Sequence, residues 1–305
     1  MVRGPGRSLP SLLTFTVLVL TLASCSASAQ TTVSSGPLPT TTVTSPPTST
    51  TSTSTTSTTT TTAATNTTTV ADPLPEIDAE VLIPDGAGPF PAVVLVHGGG
   101  WVAGSPEMMQ PLADFLTNEG YLTVNAAYTL SFEQPGFPAA IDDIACAVRY
   151  AAAHPDSDGT VVVLGYSSGA HISAVVALNG DDYAADCPIP GTGVPDRLVG
   201  LAGPYDVARL GPLMIPFFGA TPGEDPDAWR AGNPLNLVDQ NPDLESLLLY
   251  GGDDEIVDSS FAFDFAEALN GAGSEALVEE VEGALHTEMF EPSLVGDLVA
   301  TWLEG

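Results

Sequence analysis

The chain has 305 residues and a formal charge of −32, from 38 acidic against 6 basic side chains, with no lysine. A surface this acidic repels phosphate backbones and anionic lipid headgroups, which argues against nucleic-acid binding. A hydrophobic content of 44% excludes a chain that is disordered throughout. The charge is unevenly placed: every acid lies at or beyond Asp72, so residues 72–305 carry −34 and the first 71 carry +2. That split predicts two different parts joined end to end.

Residues 1–25 read as an export signal. Arg3 and Arg7 make a basic start, and the apolar run 12–23 that follows is too short to span a bilayer comfortably. It ends in Leu22-Ala23-Ser24-Cys25, a lipobox-like site whose cleavage would leave Cys25 as a lipidated terminus. A competing cut after Ala27-Ser28-Ala29 would release a fully secreted protein instead. Residues 26–71 are almost entirely Thr, Ser, Pro, Ala and Val. Without charges or aromatic rings they cannot bury enough apolar surface to offset their ordering entropy, so they read as an extended stalk. A stalk favours an anchored, cell-surface protein whose membrane contact is confined to a lipid on Cys25.

Residues 72–305 read as one domain. Apolar runs expected to form buried strands cover 92–96, 122–125, 160–164, 198–202, 246–250 and 276–281. Helical patterns fall between and after them, at 107–119, 139–153, 170–178, 259–270 and 294–303. This alternation predicts an α/β fold with a mostly parallel central sheet and helices on both faces. Two cysteines remain besides Cys25. In an exported domain Cys146 and Cys187 form a candidate disulfide, the alternative being two buried thiols.

Four segments carry chemistry. Gly165-Tyr166-Ser167-Ser168-Gly169 lies between an expected strand and an expected helix, the context of a nucleophile elbow with Ser167 at its tip. Seventy residues earlier, His97-Gly98-Gly99-Gly100-Trp101 ends another strand. A glycine run there leaves backbone N–H groups open to a ligand, and with the N–H of Ser168 they would form an oxyanion hole. After a late strand comes Gly251-Gly252-Asp253-Asp254-Glu255-Ile256-Val257-Asp258, with four carboxylates able to orient an imidazole. Spacing from the glycines and from Val257 favours Asp254. Finally, His286 follows the last expected strand. Of the other histidines, His97 belongs to the glycine motif, His154 reads as a surface residue, and His171 as packing or support within the elbow helix. The order Ser, Asp, His suits this topology. No cluster has metal-ligand spacing, and the chemistry requires no cofactor.

With these elements in order, residues 76–305 resemble the α/β-hydrolase fold. The resemblance is strongest to hormone-sensitive-lipase-like carboxylesterases and to bacterial feruloyl-esterase-like and kynurenine-formamidase-like hydrolases. The segment from Pro91 to Trp101, the elbow with its trailing His171, and Gly203-Pro204-Tyr205-Asp206 carry it. The resemblance implies a Ser167–Asp254–His286 triad, oxyanion donors at Gly99, Gly100 and Ser168, and Trp101 and Tyr166 near the substrate mouth. It implies a serine esterase acting on small to medium carboxylic esters. An amidase or peptidase on the same triad, or an inactive surface-binding module, are the alternatives. Two features depart from the family. The short lead before residue 91 leaves room for one or two edge strands to be missing. The stretch 207–232, with Met214, Ile215, Phe217 and Phe218, reads equally as a short cap or as core.

Overall fold

A computed structural model describes residues 74–132 and 134–305. The export signal, Cys25 and the stalk lie outside them. Each of the six expected apolar runs forms a strand, and a seventh joins them at the sheet edge. In chain order the main elements are β1 (Ala79–Leu82), β2 (Phe90–Val96), α1 (Gln110–Asn118), β3 (Leu122–Ala126), α2 (Ala139–Ala153), β4 (Ser157–Tyr166) and α3 (Ser168–Asn179). There follow β5 (Arg197–Leu201), three short helices α4 (Val207–Leu210), α5 (Ile215–Phe218) and α6 (Pro226–Ala231), then β6 (Glu245–Gly251), α7 (Ser260–Ala272), β7 (Glu275–Val281) and α8 (Pro292–Leu303). The sheet order is β1-β3-β2-β4-β5-β6-β7, with β1 antiparallel to β3 and every other pairing parallel. The short lead therefore does supply an edge strand. It escaped the sequence pattern because an edge strand of four residues with no fully buried side chain needs no apolar run.

The central strands are apolar on both faces because both faces are covered. Successive side chains of a strand point to opposite sides. Along β2, Val94 and Val96 therefore join the core beneath α2, α3 and α7, while Val93 and Leu95 join the core beneath α1 and α8. β4 divides likewise, Val161 and Val163 against Val162 and Leu164. Helix α3 is buried at every position from Ser168 to Leu178. A helix that is apolar all round can only be an interior one. It runs behind the sheet centre and holds the elbow rigidly.

The 207–232 stretch is core rather than cap. Met214, Phe217, Phe218 and Trp229 are all buried and pack with the residues of α2 and α3. Only Leu213 stands out into solvent among its large apolar groups. Cys146 on α2 and Cys187 are disulfide-bonded, closing a loop across 41 positions. By the chain-entropy argument, a loop of that size stabilises the fold by about 4 kcal/mol.

Candidate active site

Ser167 follows the last residue of β4 and precedes the first residue of α3. Its φ of 53° and ψ of −119° are a conformation that L-residues rarely take, at a cost of about 1–3 kcal/mol. Packing enforces it. The Ser167 N–H donates to the Leu201 carbonyl at 2.8 Å. A side chain at Gly165 would strike the Gly169 carbonyl, and one at Gly169 would strike the carbonyls of Val96 and His97. The two glycines thus let the elbow fold back on itself and lie against the end of β2.

His286 comes five residues after β7, in a single 3₁₀ turn spanning His286–Glu288. Its Nε2 lies 2.9 Å from Ser167 Oγ and its Nδ1 lies 2.8 Å from Asp254 Oδ2. A carboxylate only accepts, so Nδ1 carries the proton and Nε2 presents its lone pair to the serine hydroxyl. Asp254 is held in turn. Its other oxygen, Oδ1, accepts from the N–H groups of Ile256 and Val257, both at 2.8 Å. Its side chain is 2% exposed, whereas Asp253, Glu255 and Asp258 are exposed residues. Of the four competing carboxylates, Asp254 is the one that meets the imidazole.

The loops bearing these groups are fastened to one another. The Asp253 N–H donates to the Ala284 carbonyl at 3.1 Å and the Gly252 N–H to that of Val281 at 2.9 Å, which ties the acid loop to the histidine loop. Tyr166, next to Ser167, donates its hydroxyl to the His286 carbonyl at 2.9 Å, and its ring packs on the imidazole. Burial and the Asp254 charge push the Tyr166 phenol up to about 12, so it stays a neutral donor.

The expected oxyanion donors gather at the same end of the sheet. The N–H groups of Gly99, Gly100 and Ser168 donate to no acceptor among the described residues. The Ser168 N–H is free because it opens the first turn of α3. Gly99 has a φ of +127°, and a side chain there would collide with the Ala103 carbonyl. His97 braces this loop, stacking on Tyr128 with centroids 4.3 Å apart and donating from Nδ1 to the Gly98 carbonyl at 2.8 Å. Burial pulls the His97 imidazole below its ordinary pKa. Tyr128 in turn places its hydroxyl 3.3 Å from Ser168 Oγ. Nothing in the sequence marked Tyr128, since a tyrosine two residues past a strand carries no local signal of its contacts.

Trp101 and Tyr166, expected near the substrate mouth, are 8% and 5% exposed, and their polar atoms are taken by protein partners. Large rings beside a tight turn are worth more buried than wetted. His154 is not a surface residue, its side chain being 11% exposed, packed near Tyr150 and 3.8 Å from the Asp156 carboxylate.

The profile of the BD-FAE family matches residues 80–269, more than half of the chain. Esterase LipC of Mycobacterium tuberculosis is 27% identical over 215 residues, which are 65% of this chain and 53% of LipC. A probable isoprenylcysteine alpha-carbonyl methylesterase of Arabidopsis thaliana is 26% identical over 225 residues, 67% of this chain and 46% of the relative. The chain thus spans about half the length of these two relatives. Among solved structures, a truncated carbohydrate esterase from gut microbiota superposes with a TM-score of 0.65 at 22% identity, covering 73% of this chain and 89% of that one. An esterase from Thermogutta terrifontis gives a TM-score of 0.61 at 20% identity, covering 74% and 88%. The shared architecture is the α/β-hydrolase fold, and with the profile match over residues 80–269 the chain belongs to the BD-FAE family.

Proposed function

We propose that the protein is a serine hydrolase that cleaves carboxylic ester bonds of small to medium substrates. The observation that carries this reading is the unbroken hydrogen-bonded line from Ser167 through His286 to Asp254. Ser167 Oγ attacks the ester carbonyl carbon while its proton passes to His286 Nε2. The carbonyl electron pair moves onto oxygen, where the N–H groups of Gly99, Gly100 and Ser168 stabilise the charge. Collapse breaks the C–O bond to the leaving alkoxide, which takes the proton from His286. Water then repeats the sequence on the acyl-enzyme and releases the acid. Asp254 keeps the imidazole in the competent tautomer and offsets its transient positive charge. A panel of p-nitrophenyl esters of rising acyl length, run beside matched arylamides, tests this. Saturable ester turnover with little amide turnover is expected; turnover of arylamides alone would reassign the enzyme as an amidase, and turnover of neither would reduce it to a binding module.

We also propose, from the sequence of residues 1–71, that the enzyme lies outside the cytoplasm, tethered by a lipid on Cys25 through the 26–71 stalk. A disulfide between Cys146 and Cys187 suits that oxidising setting. Mass spectrometry of the membrane fraction should find an acylated N-terminal Cys25; a mature terminus beginning at Gln30 in the medium would make it a free secreted enzyme.

A further inference from the structure

The two halves of the oxyanion hole come from different elements. Gly99 and Gly100 lie on the loop after β2, and Ser168 opens α3. The loop is intrinsically loose: Gly99, Gly100 and Gly104 all have positive φ, and glycine is the residue with most backbone freedom to lose. Trp101, directly after Gly100, also has a positive φ, 64°, which a non-glycine residue holds only when its surroundings compel it.

The turn is closed locally by the Val102 and Ala103 N–H groups on the Gly99 carbonyl, and two longer-range bonds hold Trp101 within it. The Trp101 carbonyl accepts from the Ser131 N–H at 2.7 Å. The Trp101 indole N–H donates to His171 Nδ1 at 3.1 Å, with the two rings edge to face. His171 is on α3, four residues beyond Ser167, and it is fully buried. Its other nitrogen, Nε2, lies 2.8 Å from the Gly232 carbonyl, just past α6. A carbonyl can only accept, so Nε2 carries the proton and Nδ1 is left as an acceptor aimed at the indole. Phe217 packs against both rings and closes the cluster to water. Burial pulls the imidazole down to about 4, so it stays neutral; protonation would set an N–H against the indole N–H.

We propose that His171 is a positioning residue: through Trp101 it locks the Gly99–Gly100 loop against α3, so that the donors from both elements converge on one oxygen. This rests on the esterase reading above. The His171 side chain bonds Trp101 and Gly232 and no triad side chain; its influence runs through the indole hydrogen bond that joins the glycine loop to α3.

The experiment compares W101F, H171L and H171Q in the full exported enzyme, with S167A as the reference for the triad. W101F keeps an aromatic ring and loses only the donor. We expect kcat on a p-nitrophenyl ester to fall about tenfold or more, the scale of a donor displaced by a fraction of an ångström, with KM within about twofold. Affinity for a boronic acid, which mimics the tetrahedral oxyanion, should fall in parallel with kcat. H171L should match W101F, and the double variant should be no worse than H171L alone. H171Q, whose amide can still accept from Trp101 and donate to Gly232, should recover most of the loss. A purely structural role would lower the melting temperature while leaving the boronate-to-KM ratio unchanged. If W101F retains wild-type kcat and boronate affinity while S167A is inactive, the positioning role is wrong and the triad stands. If S167A itself remains active, the esterase mechanism fails first. Should H171L not fold, W101F decides alone.

Discussion

Replacing Ser167 with alanine is expected to lower kcat on p-nitrophenyl esters by about 10⁴-fold or more, with KM little changed. The physical reason is that, among the described residues, Ser167 Oγ is the only group bonded to Nε2, while Nδ1 is taken by Asp254. What survives is the catalysis that oxyanion donors and binding provide without a covalent step. The fold should tolerate the change. Alanine keeps the Cβ, so the strained backbone at φ 53° meets no new clash, and Ser167 is only half-buried. Steady-state kinetics and a melting curve on the same preparation check both halves. A variant retaining more than about 1% of kcat would remove Ser167 from the nucleophile's role.

The second large effect is expected at the acid. Asp254→Asn should lower kcat by about 10⁴-fold at neutral pH, although the side chain is isosteric. Two N–H groups, from Ile256 and Val257, converge on Oδ1, so the asparagine must place its carbonyl oxygen there. Its NH₂ group then faces His286 Nδ1. A donor opposite Nδ1 forces the imidazole into the other tautomer, with the Nε2 proton pointing at the serine hydroxyl it should deprotonate. Asp253→Asn and Glu255→Gln serve as controls. Both side chains lie in solvent, and their variants should stay within about twofold of wild type. A reversed ranking, with Asp253 sensitive and Asp254 indifferent, would assign the acid to the neighbouring residue.

Much of the architecture was legible in the chain itself because the physics involved is local. Buried parallel strands must be apolar on both faces, and the runs around Val94, Val163 and Leu248 say so directly. The elbow was legible for a steric reason: only glycine can stand at 165 and 169, where the backbone passes against Gly169, Val96 and His97. Those constraints are written as residue types at fixed spacing, so one sequence suffices to read them. The β1 edge strand was not legible, because three half-buried residues and an exposed Glu80 at an edge need no pattern.

The charge with which the sequence opens marks the division between its two parts, but it obscured the acid. Four carboxylates within six residues are equivalent by composition. Spacing from the glycines and Val257 singled out Asp254, and the in-register pairing of β6 and β7 is what brings that residue to His286. The same holds for His171 and Trp101, seventy residues apart, whose hydrogen bond exists only because β2 and β4 lie side by side and the 207–232 stretch folds inward to bury them. The strand–helix alternation, the tight serine turn and the open glycine loop follow from the sterics of a few neighbouring residues and so are legible in the chain. Contacts between elements far apart in the chain settle how Asp254 reaches the imidazole, which rings are buried and what packs on the glycine loop.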